Sequence, residues 1–282
     1  MASTTSVAPL VGRARTEAAA AASSAGVEVR SLAGPEEARA AAALFDAVWQ
    51  RPLPVVPPDF LQAIEHSGGY LAGALRPSGG GLVGASVGLL GQVDGLFHLH
   101  SHATGVERSA HRRGIGRAIK LHQRAWCLER GIPTIRWTFD PLLRANVTFN
   151  LGTLGAVLTA YHVRFYGDLH DAYNAGDETD RALATWDLAG PPPGWPSGPP
   201  TLVLAEDGSG APEVVGDLAE AMGGPVLAQL PEDIVGWRST DPALALAWRR
   251  ALRAVLVPAM GAGYVGTRVS PTGQLLLERH RP

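Results

Sequence analysis

The segment Val106-Glu107-Arg108-Ser109-Ala110-His111-Arg112-Arg113-Gly114-Ile115-Gly116-Arg117 constrains this chain more than any other. Alternating apolar residues over Phe97–Val106 read as a strand. A stripe of Ile115, Ala118, Leu121, Ala125 and Leu128 reads as a helix over Gly114–Arg130. Gly131 and Pro133 end that helix. A strand that turns directly into a helix aims free N–H groups and the positive end of the helix dipole at the turn. A diphosphate sits well in such a place. Gly114 and Gly116 let the backbone come close without a Cβ. Arg112, Arg113 and Arg117 oppose the dipole, which makes sense when an anion lies among them. Two familiar phosphate motifs fail: Arg117-Ala118 stands where a Walker loop needs Lys-Ser/Thr, and Ile119 replaces the third glycine of a dinucleotide fingerprint.

The remaining chain supplies the frame. Strands are expected at Val27–Leu32, Tyr70–Leu75, Leu82–Leu90, Thr134–Phe139, Val157–Phe165 and Ala182–Leu188. Helices are expected from Pro35 to Trp49, over Pro58–His66 and over the short stretch Asn146–Leu154. Arg51–Pro58 is a Pro-rich connection, and residues 191–200 form a Pro/Gly linker. Beyond it, residues 201–282 read as a small α/β part. Its strands are Thr201–Ala205 and Val226–Leu230, its helix Pro242–Leu256, and its hairpin Tyr264–Val269 with Gln274–Leu277. Residues 1–26 are expected to be a disordered tail, with a frayed helix as the alternative over the Ala/Ser-rich stretch Ala18–Ala25. With 282 residues, 46% of them hydrophobic, the chain holds one large domain or two modest ones.

Charge and cysteine content narrow the class further. A net charge of -2 offers nucleic acid no global basic field. No apolar run reaches the ~20 residues of a membrane span, and Val7–Val11, broken by Pro9, is too short for a secretory signal. Cys127 is the only cysteine, so no intrachain disulfide forms and a cytoplasmic setting is expected.

Chemistry is suggested by Phe97-His98-Leu99-His100-Ser101-His102, which on a strand turns His98, His100 and His102 to one face. One or more of them can instead be core histidines. A second alternative is a metal-dependent hydrolase with these histidines as ligands and Asp140 or His162 completing the shell.

At Val106–Arg117 the sequence resembles the GNAT superfamily of coenzyme A-dependent N-acyltransferases, whose pattern is Arg/Gln-x-x-Gly-x-Gly/Ala. The eight-residue step from Val106 to Gly114 has the family spacing. Trp137-Thr138-Phe139-Asp140-Pro141-Leu142, Asn146, Phe149-Asn150-Leu151, Leu154-Gly155-Ala156 and Asp180-Arg181 resemble a bacterial branch, some members of which are thought to succinylate amino acids. The resemblance covers roughly the middle 160 residues well and the C-terminal part weakly. It implies an α/β fold, with a mixed, mostly antiparallel sheet flanked by helices over residues 27–190. It implies acetyl-CoA or succinyl-CoA as donor, no metal, and a small-molecule amine such as an amino acid as acceptor. A homodimer is left open.

Carried over residue by residue, the resemblance implies a donor site of Val106, His111, Arg112, Arg113, Gly114, Ile115, Gly116, Arg117 and Asn146. The Val106 N–H would meet the developing oxyanion. His100 lies six residues before Val106, where some members carry a general-base Glu, and His102 is the next choice. Asp140 and Arg181 are expected to face substrate, Arg181 by gripping a carboxylate. An Asp180–Arg181 ion pair is the alternative. There are departures. His111 replaces the motif Arg/Gln. Asn146 lies two residues later than the family asparagine. Leu151 stands where many members have a tyrosine acid, a part Tyr161 or Tyr166 would then take. Trp126 and Cys127 are expected to be packing. A protein that binds coenzyme A without catalysis is the third alternative.

Overall fold

Short apolar runs separated by Gly, Pro and Asp build the sheets of this protein. The computed structural model describes residues 7–50, 53–167, 177–194, 196 and 198–279. Residues 1–6 of the expected tail, 51–52 of the Pro-rich connection, and 195 and 197 of the Pro/Gly run lie outside the described residues. Two compact units divide the chain, Met1–Trp137 with Asp187–Ala189, and Thr138–Trp186 with Gly190–Pro282. The division falls at Trp137 and not at residues 191–200. The reason is pairing: Gly266 of the C-terminal part pairs antiparallel with Leu158, so strands beyond the Pro/Gly run extend a sheet begun before it.

In the first unit, α1 (Val7–Ala25) precedes a sheet ordered β1 (Glu28–Ser31), β2 (Tyr70–Leu75), β3 (Leu82–Val93), β4 (Leu96–Val106) and β5 (Thr134–Phe139). All neighbours are antiparallel except β4 and β5. Helices α2 (Gly34–Trp49) and α3 (Pro58–His66) cover one face, burying Phe45, Leu61 and Ile64 against Leu71 and Val87. Helix α4 (Ile115–Glu129) covers the other, and α1 packs against α4.

Helix α1 corrects the expectation of a disordered tail. Ala14, Ala18, Ala21, Ala22 and Ala25 are 9% exposed or less and form one helical face. Alanine loses no side-chain entropy in a helix, and its small size brings α1 close to α4. Arg15–Glu129 at 2.5 Å and Arg124–Glu17 at 2.8 Å flank the contact.

Strand β4 begins at a tight turn and carries a bulge. Asp94 and Gly95, at φ 52 and 78, make the tight turn that joins β3 to β4. The β3/β4 register then slips: Gly88 faces Ser101, but Val87 faces Ala103, so His102 is an extra, bulged residue.

In the second unit the order is β7 (Arg181–Asp187), β6 (Val157–His162), β11 (Tyr264–Val269), β12 (Gln274–Arg279), β10 (Val226–Gln229), β8 (Thr201–Glu206), β9 (Pro212–Val214). Only β8 and β10 are parallel. The expected mixed, mostly antiparallel sheet with flanking helices is therefore what the chain forms. The helices are α5 (Arg144–Val147), α6 (Leu218–Ala221), α7 (Ile234–Thr240) and α8 (Pro242–Gly261). Asp241 caps α8 through the Leu244 N–H at 3.0 Å, next to Pro242 at the first position. The helix expected over Asn146–Leu154 is two pieces. After α5 the chain widens into a π-helical turn, Thr148–Thr153, closed by Leu154 N–H to Phe149 C=O at 3.1 Å.

Candidate active site

The turn after β4 has the geometry its sequence requires. Glu107 N–H bonds the Val83 carbonyl of β3 at 2.9 Å. Alternation along an antiparallel pair then turns the Val106 N–H and C=O away from β3. The Val106 carbonyl accepts from His111 Nε2 at 3.0 Å. His111 thus ties the turn to the end of the strand, and it does so with its side chain.

Arg112 at φ 61 and Gly114 at φ 82 are both left-handed, and they swing the chain into α4. The first helical bond runs from Ala118 N–H to Gly114 C=O, so Ile115, Gly116 and Arg117 keep N–H groups with no partner in the helix. The side chains of Arg108, Arg112, Arg113 and Arg117 have no hydrogen-bond or ion-pair partner among the described residues. The one nearby acid, Glu107, is taken by Arg76 at 2.8 Å. Arg113 points toward the end of α1, 3.6 Å from where a Gly26 Cβ would be, and lines a cleft of about 260 Å³ with Gly26, Arg76, Pro77 and Ala110.

The two glycines do different work. Gly114 needs its positive φ, whereas a Cβ on Gly116 meets nothing within 4 Å. Gly114→Ala is expected to cost about 1 kcal/mol of stability. Gly116→Val should leave the melting temperature nearly unchanged while weakening any anion held over the helix end. Thermal unfolding together with calorimetric titration of coenzyme A checks the pair. Equal effects of both substitutions on stability would contradict it.

Strand β4 leaves β5 beside the histidines. The two strands pair only at Leu99↔Ile135 and His100↔Arg136, while β4 runs on to Val106. His98 and His100 are half-buried, and His102 is exposed. Strict alternation would put all three on one face. The bulge at His102 alters that spacing but leaves its ring 6.2 Å from the His100 ring. The His98 ring lies over Gly91, where a Cβ would come within 2.7 Å. Burial pushes His100 down to about 4, helped by His102, His98 and Lys120. It is therefore a neutral hydrogen-bond acceptor at pH 7. Among the described residues, no three His, Cys, Asp or Glu side chains gather as a metal site, so the metal-hydrolase alternative lacks a donor set.

Sequence reasoning missed the opposite face of β4. Lys120, the only lysine, is buried, with Nζ 2.8 Å from Ser101 Oγ, 3.1 Å from Gln123 Oε1 and 4.2 Å from the Trp137 ring centre. Gln123 continues to Ser86, and Ser86 to Thr104, so a polar chain runs beneath the strand. Burial lowers Lys120 to about 7. The missed signal was a lone lysine within the apolar stripe of the helix.

The second unit corrects several expectations. Asp140 is buried: its Oδ1 accepts from Leu142 N–H at 3.0 Å and Arg249 Nη1 at 2.8 Å, and its Oδ2 from Arg238 and from Arg249 at 3.0 Å. Those guanidinium groups hold it well below the usual carboxylate range against the cost of burial. A side chain so fully engaged does not face an acceptor amine. Arg181 is also buried, donating to the Asp180 carbonyl at 2.8 Å, with its guanidinium 5.4 Å from the Tyr166 ring. Arg181 is thus engaged inside the protein and not open to solvent. The Asp180 carboxylate bonds Arg253 at 2.7 Å and the Tyr161 hydroxyl at 2.5 Å. Burial, with the bond to Asp180, raises Tyr161 above its usual range. Tyr166 stays exposed, with its hydroxyl 3.1 Å from Thr138 Oγ1. Asn146 is exposed in the first turn of α5, whose N-cap is Leu143. Leu151 is buried in the π-helical turn. Trp126 and Cys127 pack as expected, Trp126 edge-on to Tyr70 with ring centres 5.3 Å apart.

No family model and no curated protein matches this sequence. Several solved structures have a similar chain path. The ribosomal-protein-S18-alanine N-acetyltransferase from Escherichia coli is 14% identical with a TM-score of 0.45, over 60% of this chain and 99% of that one. Arabidopsis thaliana Naa50, in complex with a bisubstrate analogue, is 15% identical with a TM-score of 0.46, over 57% and 97%. An acetyltransferase of the GNAT family from Streptococcus pneumoniae is 14% identical with a TM-score of 0.45, over 56% and 98%. Neither identity nor TM-score reaches a level at which a neighbour's activity transfers to this chain. Among the described residues no helix is long and apolar enough to cross a membrane.

Proposed function

We propose that this chain is an acyl-coenzyme A-dependent N-acyltransferase of the GNAT type, its acyltransferase region spanning residues 27–190, that moves an acetyl or succinyl group to the amine of a small molecule, an amino acid among them. The observation that carries the reading is the turn from Val106 to Arg117. Free helix N–H groups and four arginines without an acid partner among the described residues meet at the end of a strand that has just left its neighbour. A diphosphate over Ile115 and Gly116 would lead the acyl arm along the unpaired edge of β4, toward His100 and His102. Arg112, Arg113 and Arg117 would meet the phosphates.

In the reaction, the amine nitrogen forms a bond to the thioester carbon and the C–S bond breaks. The Val106 N–H, turned away from β3, is the donor offered to the carbonyl oxygen. The attacking nitrogen loses its proton to the solvent-side imidazoles. His100, at about 4, is too weak a base to strip a free ammonium group. It accepts the proton as the N–C bond forms, when that nitrogen turns acidic. A thiol titrates near ~8.5, so the thiolate leaves without an obligatory acid, and Leu151 in place of a tyrosine is tolerable.

Calorimetry with coenzyme A and release of free thiol from acetyl- and succinyl-CoA, with and without amines, test the proposal. Binding with turnover is the expected result. Binding without thiol release in any amine screen would make the chain a non-catalytic coenzyme A protein. Absence of binding at low salt would defeat the reading. His100→Ala is expected to lower kcat by about 10²-fold while the KM for the acyl donor changes little. An unchanged kcat across pH would remove His100 from the chemistry.

A further inference from the structure

Arg136 has no role in the chemistry above, yet its place in the fold is unusual. Strand β5 alternates: Ile135 and Trp137 are buried, while Arg136 is half-buried on the other face. Trp137 meets Lys120 of α4, so Arg136 looks away from α4. In the last paired rung between β4 and β5 it stands opposite His100, about 4.8 Å away strand to strand. Paired residues on neighbouring strands share a face, so Arg136 stands on the face that carries His98 and His100. Its charge reaches His98, which it helps to lower. Arg136 has no hydrogen-bond or ion-pair partner among the described residues. A half-buried guanidinium whose charge reaches the His98 ring, with no acid partner among the described residues, is an unmatched fork of donors on the histidine face.

We propose that Arg136 binds a carboxylate of the substrate. The carboxylate sits on the His98/His100 face, at the point where β4 and β5 part, within reach of the nitrogen that His100 serves. Two sources supply this chemistry: the carboxylate of an amino-acid acceptor, or the free carboxylate of a succinyl group. The first fits the separation of adjacent strands, because the amine and carboxylate of an α-amino acid are near neighbours. This assignment rests on the acyltransferase reading, and it replaces Arg181 as the carboxylate-recognising residue.

The test crosses two donors, acetyl- and succinyl-CoA, with matched acceptors, amino acids and their neutral amides. It is run on the full chain and on Arg136→Met and Arg136→Lys, with coenzyme A affinity measured for each. The expected result is a fall in kcat/KM of roughly 30-fold or more in Arg136→Met, mainly through KM, for the carboxylate-bearing partner alone. Arg136→Lys should restore part of it, and coenzyme A affinity should not change. Loss confined to amino-acid acceptors assigns the carboxylate to the acceptor, and loss confined to succinyl-CoA assigns it to the acyl group. If wild type treats acids and amides alike, or if Arg136→Met keeps the wild-type preference, the assignment is overturned. If wild type neither binds coenzyme A nor releases thiol, the acyltransferase reading itself has failed, and this assignment with it.

Discussion

Asp140→Ala is expected to destabilise the second unit by about 3–5 kcal/mol, the largest single effect a side chain in this protein should show. Asp140 and Asp177 face Arg238 and Arg249 in a buried group of two carboxylates and two guanidinium ions. Removing Asp140 takes a carboxylate away from Arg238 and Arg249 among side chains no more than 5% exposed. Asp140→Asn keeps the volume and part of the hydrogen bonding, and it should still lose much of the stability. The pH dependence has a definite sign. The folded-state pKa of Asp140 is depressed, so its contribution is present above the unfolded carboxylate value near ~4 and is lost as pH falls through the acid range below it. Urea unfolding of wild type and variant should show the gap between them beginning to narrow as pH falls from 5 to 3. A difference under 1 kcal/mol at pH 7 would mean that the pairs do not hold the unit together.

Lys120→Met should change how stability depends on pH in the opposite part of the scale. Burial lowers Lys120 from 10.5 to about 7, which is worth on the order of a few kcal/mol. Below 10.5 the unfolded chain binds a proton that the folded chain refuses until about pH 7, so wild-type stability rises as pH rises through that window. The methionine variant lacks this slope. Relative to it, wild type should gain up to several kcal/mol between pH 7 and pH 10. Methionine keeps a soft contact with Trp137 but leaves Ser101 and Gln123 without their ammonium partner, a constant loss of about 1–2 kcal/mol. Paired urea titrations at pH 6, 8 and 10 read the difference. Parallel curves would show that Lys120 stays charged in the fold. Its charge also helps to depress His100, so the acid limb of any activity should move to higher pH in this variant.

Much of the frame was legible because it is local. Tyr70–Leu75, Thr134–Phe139 and Tyr264–Val269 are strands with the expected limits, and Pro58–His66 is a helix with the expected limits. β-branched and apolar runs bounded by Gly and Pro leave little choice there. Helix α1 was not legible, because an alanine face has weak hydrophobic contrast and becomes a face only when α4 is beside it. The bulge at His102 was not legible either, since register belongs to two strands and not to one.

The turn from Val106 to Arg117 is what the sequence determined by itself. The glycines, the arginines and the strand–helix boundary lie within a dozen residues, and local backbone rules suffice to leave free helix N–H groups among arginines there, where we propose that an anion binds. The fates of the charged side chains were decided only by the tertiary structure. Asp140 and Arg249 are 109 positions apart, and nothing local says that one neutralises the other. The same holds for Arg136, which meets His100 through a single parallel rung, and for Lys120, which is buried because Ser101 and Trp137 close over it. Whether a charge is paired, buried or left open depends on neighbours brought from afar, because the cost of desolvation and the Coulomb gain that offsets it are both set by packing.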